Sequence, residues 1–300
     1  MDRRRYMEAV GGGTVVSLAG CLGDASSNED GDGGGAIAGD SLTLATATTA
    51  YDSGLLDALN PGFEDRFGVS VEAIARGTGG SLETARNGDC DVVLVHARLL
   101  EDEFLRAGHG INRRSLMAND FLVVGPPDDP AGIAGRDPVS AFEAIAEAEA
   151  TFVSRGDRSG THIRELEIWE ETGVSPSGSW YSETGQGMGN TLVTAAQTNA
   201  YTLTDRGTFL NVVDGGLVAH VDRGIRNPPP LLRNEYGLIP VDPARNDTAY
   251  QLAMAYVGYV TGPGQDRIEE FRIGGSRAFR PAGVTREPDF EQYVPSGWRR

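Results

Sequence analysis

The sequence predicts an α/β fold, a parallel sheet flanked by helices with ligand loops at the strand carboxyl ends. Three observations predict it. Short apolar runs alternate along the chain with longer segments of helical apolar spacing. Hydrophobic residues make up 39 % of 300 residues, enough for real cores in about two ordinary domains. Three donor-rich loops each lead from a predicted strand into a predicted helix: Thr46–Ala50, Gly77–Gly80 and Ser154–His162.

Taken in order, Leu42 to Ala45 alternates and reads as the first strand, running into the Thr-rich loop. A helix over Leu55 to Phe67 follows, with Asp52 or Ser53 as the N-cap. Val69 to Ala75 reads as the second strand, Ser81 to Asn87 as a helix, and Asp91 to His96 as a continuous buried strand. Phe121 to Gly125 is a further strand, ended by Pro126 and Pro127, and the turn at Asp128 to Gly132 marks a crossing between domains. Val139 to Ala150 reads as a helix and Thr151 to Val153 as a short strand feeding the Arg155 loop. The helix from Thr161 to Thr172 carries Ile163, Leu166 and Trp169 as an apolar stripe. Beyond it come a helix over Gly187 to Asn199, strands at Ala200 to Leu203 and Tyr236 to Val241, and helices over Ala249 to Val260 and Gln265 to Phe271.

The net charge is −17, and every one of the 26 basic residues is arginine. An acidic excess without lysine suits a protein that stays soluble in concentrated salt, as halophilic proteins do. No basic stripe is present, which argues against nucleic-acid binding. At 1 M salt the Debye length is only ~3 Å, so an anion site in such a protein works through short, direct hydrogen bonds.

The amino terminus reads as an address. Arg3-Arg4-Arg5 precedes a run of small and apolar residues that ends in Leu18-Ala19-Gly20-Cys21. This pattern reads as a twin-arginine export signal over residues 1–21 joined to a lipobox, with Cys21 lipidated in the mature chain. An ordinary secretory signal with a chance cysteine is the plainer alternative. Residues 22–40 are rich in Gly, Asp, Ser and Asn and read as a flexible tether. Cys90, beside an apolar strand, is the one remaining cysteine and reads as a buried thiol, so neither a disulfide nor a cysteine metal site is expected.

The segment Ser154-Arg155-Gly156-Asp157-Arg158-Ser159-Gly160-Thr161-His162 carries the most chemistry. Arg155 supplies a planar fork of donors. Ser154, Ser159 and Thr161 supply hydroxyls, and the glycines let backbone N–H groups approach a guest at a helix start. That mixture suits a dry tetrahedral oxyanion. The plainer reading is an ordinary N-cap, with Arg155 paired to a surface carboxylate. Ala47, Thr48 and Thr49 of the first loop and Thr78 and Gly79 of the second offer the same donors, although threonines also favour strands and Gly-rich turns are common. The second loop is not a phosphate P-loop, since no lysine follows. The four histidines show no metal-ligand spacing. His96 ends a strand, and His109 and His220 fall in predicted loops. His162 near Ser154 or Ser159 is the only hint of a nucleophile and base, and Trp180 with Tyr181 reads as packing.

Several segments in order resemble the substrate-binding components of tungstate ABC transporters. They are Leu44 to Asp57, Gly77-Thr78-Gly79, Asp91 to Ala97, Asn119 to Gly132, Phe152 to Trp169, Trp180 to Leu192 and Ala200 to Arg206. The resemblance implies a two-lobed periplasmic-binding-protein fold of type II, with two parallel or mixed sheets and a ligand cleft between lobes. Residues 41–124 plus 235–300 would form lobe I and residues 125–234 lobe II. It implies a non-enzymatic receptor without cofactor, monomeric, on the outer face of the cytoplasmic membrane. The receptor would deliver tungstate or molybdate to a membrane permease driven by an ATPase. Thr48, Thr49, Ala47, Thr78, Gly79, Arg155, Ser154 and Thr161 would hold the anion, and Asp157 would turn away to bond loop N–H groups or Arg158. Where the family usually reads Thr-Thr-Thr-Ser, this chain reads Thr46-Ala47-Thr48-Thr49. One hydroxyl is thus missing at Ala47, and a methyl is added at Thr49. A phosphate or sulfate receptor of the same fold is the nearest rival, and a secreted hydrolase a more distant one.

Overall fold

The structure, a computed structural model, describes residues 41–212 and 216–283. The expected export signal, Cys21 and the tether lie outside the described residues, as does the end of the expected first lobe.

The elements run β1 (Ser41–Ala47), α1 (Thr48–Asp52), α2 (Leu55–Phe67), β2 (Ser70–Arg76), α3 (Thr78–Arg86), β3 (Val92–Val95), α4 (Arg98–Arg106) and β4 (Arg114–Gly125). Then come α5 (Pro138–Glu147), β5 (Phe152–Ser154), α6 (Gly160–Thr172), β6 (Tyr181–Glu183), α7 (Met188–Thr198), β7 (Thr202–Asp205), α8 (Arg206–Val212) and β8 (Val218–Val221). The chain returns through β9 (Arg233–Pro240), α9 (Tyr250–Val260), α10 (Gly264–Glu270) and the short strands β10 (Arg272–Ile273), β11 (Ser276–Arg277) and β12 (Arg280–Pro281).

The main sheet has the order β12-β4-β9-β3-β1-β2. The β1 strand pairs in parallel with both β2 and β3, as the alternation of strand and helix requires. The sheet is nevertheless mixed, because β9 runs antiparallel to β3 and β4. The β4 strand is longer than its apolar half suggested. Residues Arg114 to Asp120 pair with β9, and Phe121 to Gly125 pair with β7 and β8.

Period-two side-chain alternation then divides the core. Leu42 and Leu44 of β1 face a cluster with Leu59, Phe63 and Tyr256, whereas Ala45 faces Leu82, Val93 and Phe104 on the other side. In the second half of β4, Phe121 and Val123 join Phe142, Phe152 and Trp169, whereas Leu122 and Val124 join Met188, Leu192 and Ala195. Both sheet regions are therefore buried on two faces, which is why their strands read as continuous apolar runs. Where β4 passes from one region to the other, the buried Asp120 accepts two bonds from Arg206, at 2.6 and 2.7 Å.

Several local expectations are corrected. Thr48–Asp52 is a turn of helix rather than loop. The N-cap of α2 is Gly54 at φ +76°, not Asp52 or Ser53, although Ser53 Oγ, one residue earlier, accepts from the Leu55 N–H while donating to the Ala50 carbonyl. Of the expected stripe Trp169 is buried but Leu166 is exposed, and α6 buries Glu165 and Ile168 beside Trp169. Glu165 keeps its place by accepting bonds from the Trp169 indole and the Tyr181 hydroxyl. His220 lies on β8, not in a loop. Cys90 is a buried free thiol whose pKa burial pushes up to about 12.

Trp169 is the hub of the aromatic cluster, with ring centroids of Phe142, Phe152 and Trp180 at 4.4, 5.4 and 5.8 Å. Trp169→Ala is expected to lower unfolding stability by about 3–5 kcal/mol, read from urea denaturation at high salt. A loss below about 1 kcal/mol would remove it from that role.

Candidate functional site

The three donor-rich loops meet. The first is the β1–α1 junction, where Ala47 is the N-cap of α1 and has no side chain to cap it. The second is the start of α3, where Gly77 in extended geometry is the N-cap and likewise offers no side-chain bond. The third connects β5 to α6. A Cβ on Gly77 would lie 3.8 Å from both Asp157 Oδ2 and Ser159 Cβ, so the Arg155 loop sits directly on the second loop. A Cβ on Gly160 would lie 2.7 Å from His96 Cε1 and 2.9 Å from its carbonyl oxygen, so the start of α6 is pressed against the end of β3.

Local sequence shapes the third loop. Gly156 and Arg158 both adopt positive φ, +63° and +57°, and fold the loop back on itself. Gly156 is required there, since a Cβ would meet Glu183 Cβ at 2.6 Å. Ser159 then caps α6 by accepting from the His162 N–H. The result is a guanidinium that is only 2 % exposed.

The buried donors are unequally satisfied. Thr78 Oγ1, Arg155 Nε and Thr161 Oγ1 are all buried and without a hydrogen-bond partner. They come from two of the three loops, and all three residues carry the chemistry expected of an oxyanion site. Leaving such a group unsatisfied costs about 1–3 kcal/mol. The other expected site residues are placed as follows. Ala47 is buried and Thr48 half-buried at the β1–α1 junction, and Gly79 faces the Arg158 carbonyl. The Ser154 hydroxyl accepts from the Gly156 N–H at 3.2 Å, so it serves the loop itself. The Thr49 hydroxyl lies 3.2 Å from His96 Nε2 and 3.1 Å from the Tyr236 hydroxyl.

Asp157 departs from expectation in one respect. Its Oδ1 accepts from the Ser159 N–H at 3.0 Å, as anticipated, but Oδ2 bonds Arg155 Nη2 at 2.5 Å rather than Arg158. The two-residue spacing across the tight turn at Gly156 brings the carboxylate back to the guanidinium. Arg155 also acts at longer range on Asp52 and Asp205, offsetting part of the rise that burial causes in both their pKa values.

His96 was missed by the sequence reading. It is buried, stacks on Tyr236 at 4.8 Å, and its Nδ1 lies 2.8 Å from Asn234 Oδ1. Burial first, then the positive charges of Arg155 and Arg164, push its pKa down to about 4. Asn119, Asn234, Tyr236 and Asp205 complete a buried polar wall behind it. Nothing in their spacing marks them, because they come from four separate strand positions. The His162 ring offers no nucleophile–base pair. Its Nδ1 accepts from the Arg158 N–H, and its Nε2 faces Glu183 at 3.8 Å, with no serine hydroxyl bonded to either nitrogen. Among the described residues no cluster of metal-ligating side chains occurs.

Comparison with known proteins shows the family. Residues 25–263 match the family model described as a PBP superfamily domain. A Haloferax volcanii protein named as an ABC transporter anion-binding protein is 54 % identical, over 98 % of this chain and 90 % of its own length. The tungstate-binding protein TupA of Peptoclostridium acidaminophilum is 41 % identical over 78 % of this chain and 80 % of its own. The solved structure of the tungstate ABC transporter from Geobacter sulfurreducens superposes with a TM-score of 0.71 at 45 % identity, covering 77 % of this chain and 99 % of that one. The chain belongs to the PBP superfamily and, within it, to the family of tungstate ABC transporter substrate-binding proteins.

Two outcomes follow from the packing around His96. Gly160→Ala is expected to destabilise the fold by about 1–3 kcal/mol, because the added methyl meets backbone as well as ring. Unchanged unfolding midpoints would show that α6 can retreat freely. The neutral His96 ring contributes stability that is complete above its unfolded pKa of about 6.5 and lost as pH falls toward about 4. Stability of the parent relative to His96→Gln is therefore expected to fall by roughly 3 kcal/mol across that window. A difference that does not vary with pH would contradict the burial of the neutral ring.

Proposed function

We propose that this chain is the extracytoplasmic substrate-binding component of an ABC importer, and that its guest is the tungstate dianion, with molybdate second. One observation carries the reading. Thr78 Oγ1, Arg155 Nε and Thr161 Oγ1 are buried donors without acceptors, and they come from segments that meet only in the folded chain. A tetrahedral dianion offers acceptors alone and would satisfy all three. The names of the relatives support the choice of anion. Arg155 offsets part of the charge, and Thr48, Thr49, Ala47 and Gly79 add hydroxyl and N–H groups from the first lobe. Each charge-assisted bond contributes about 1.5–3 kcal/mol.

The two pairs of hydrophobic clusters support a two-lobed reading. Clusters on the main sheet draw on residues before Ala118 and from Tyr236 onward, and the other pair draws on residues from Phe121 to Leu232. On this reading the crossings are Asp120 and Arg233, which face each other on β4 and β9. They lie slightly before the boundaries at 124 and 235 that the sequence suggested. Opening and closing would turn about those strands, bringing the Arg155 loop on and off the Gly77 turn. Lipidation at Cys21, a monomeric state, and docking on a permease with its ATPase complete the proposal.

Phosphate remains a second reading for one reason. Asp157 Oδ2 lies beside Gly77, where a hydroxyl of a protonated oxyanion would find an acceptor. Competition calorimetry with tungstate, molybdate, sulfate and phosphate at high salt separates the two, and phosphate winning would overturn the choice of tungstate. Arg155→Ala is expected to lower tungstate affinity roughly 10- to 100-fold or more with an unchanged circular dichroism spectrum. Near-parental affinity would remove Arg155 from its role.

A further inference from the structure

The polar wall behind the Thr-rich turn is directional, and its direction bears on Thr49. Asp205 is fully buried and accepts from the Thr208 N–H, the Thr208 hydroxyl and Asn119 Nδ2. That fixes the Asn119 amide, whose Oδ1 accepts from Asn234 Nδ2 at 2.6 Å. Asn234 is fixed in turn, and its Oδ1 faces His96 Nδ1 at 2.8 Å, so Nδ1 must carry the proton. In the neutral ring Nε2 is then bare and accepts the Thr49 hydroxyl proton across 3.2 Å. Tyr236 already donates to Thr49 Oγ1 at 3.1 Å. The hydroxyl has one proton and two lone pairs. With its proton on His96 and one lone pair on Tyr236, Thr49 has only a lone pair left for a guest.

Resting on the oxyanion reading above, we propose that His96 decides whether Thr49 donates to the bound anion. A proton taken from solvent onto His96 Nε2 turns that nitrogen into a donor. Thr49 then accepts from His96 and Tyr236 and has its own O–H free for the guest. The charged ring favours a fully deprotonated dianion. The neutral ring leaves Thr49 an acceptor, which suits an oxyanion that still bears a hydroxyl. His96 is thus a positioning residue that sets specificity through Thr49, and capture of tungstate draws in a proton.

The surroundings are set against that proton while no guest is bound. Arg155 from the loop and Arg164 from α6 oppose it, and Asp157 favours it. Arg98 and Arg113, paired with Asp102 and Glu101, line the pocket beside the ring together with Arg233 and Glu235 of β9. Burial first, with Arg155 and Arg164 adding to it, holds the ring neutral. A doubly negative guest beside Arg155 reverses the balance, since charges act strongly in a poorly solvated site.

Calorimetry of tungstate binding at about pH 6, in two buffers of unlike ionisation heat, tests this. The full chain is expected to take up between about one half and one proton per tungstate, with affinity rising at most about tenfold per unit fall in pH. His96→Gln should take up none. Uptake that survives in His96→Gln, or tungstate binding by the parent without uptake, would each overturn the proposal. Failure of the parent to bind tungstate at all would take down the oxyanion reading and this inference together. Nitrogen spectra of the histidine rings in the full chain give a second measure that needs no variant. One of the four rings should gain a proton at Nε2 on saturation with tungstate, and four unchanged rings would refute the role of His96.

Discussion

A guanidinium sealed from water must find acceptors, and the rest of the structure depends on how Arg155 is supplied with them. Asp157 takes one Nη2 proton, and the Nε proton remains without a partner, as do the buried hydroxyls of Thr78 and Thr161. Burying such donors opposes folding, so the surrounding packing has to impose their positions. It does so from both sides. The Phe142–Phe152–Trp169 cluster anchors β5 and α6 on either flank of the Arg155 loop. The alternating faces of β1 and β3 anchor the Thr-rich and Gly-rich turns opposite it. A rigid scaffold holding unmatched donors is pre-organised for a guest that brings only acceptors.

The way those donors are held also limits what they can offer. Two of the expected hydroxyls are not free. Ser154 is tied to the Gly156 N–H, and Thr49 to His96 and Tyr236. Asp157 both orients Arg155 and reduces its charge. The pocket is therefore less purely proton-donating than its composition suggests. On the proposed reading, its selectivity among oxyanions would depend on how these side bonds are shared.

Much of the fold was legible because burial on both faces writes itself into strands as apolar runs, and because caps and glycines punctuate helices. The Arg155 loop is the best case, with a short strand, positive-φ turns at Gly156 and Arg158, the Ser159 cap and then α6. Errors arose where a local signal had two outcomes. Leu166 fits an apolar stripe by spacing, yet the neighbouring face, with Glu165 bonded to Trp169 and Tyr181, is the one that packs. The first half of β4 mixes apolar with polar residues, and its polar Asn119 and Asp120 are buried. Asn119 is held there by Asn234, and Asp120 by Arg206, partners that lie far along the chain.

By itself the sequence determined the alternation of strands and helices, the three loops rich in donors, and the residue types suited to an oxyanion. These follow from periodicity, capping and hydrogen-bonding chemistry, which act between near neighbours. Long-range packing alone set Gly160 against His96 and placed Asn234 and Asn119 so that they orient the ring whose Nε2 meets Thr49. Those contacts join residues up to 138 positions apart. They exist because two-sided burial of β3, β4 and β9 brings distant side chains into one dry space, where each proton must be assigned to a partner.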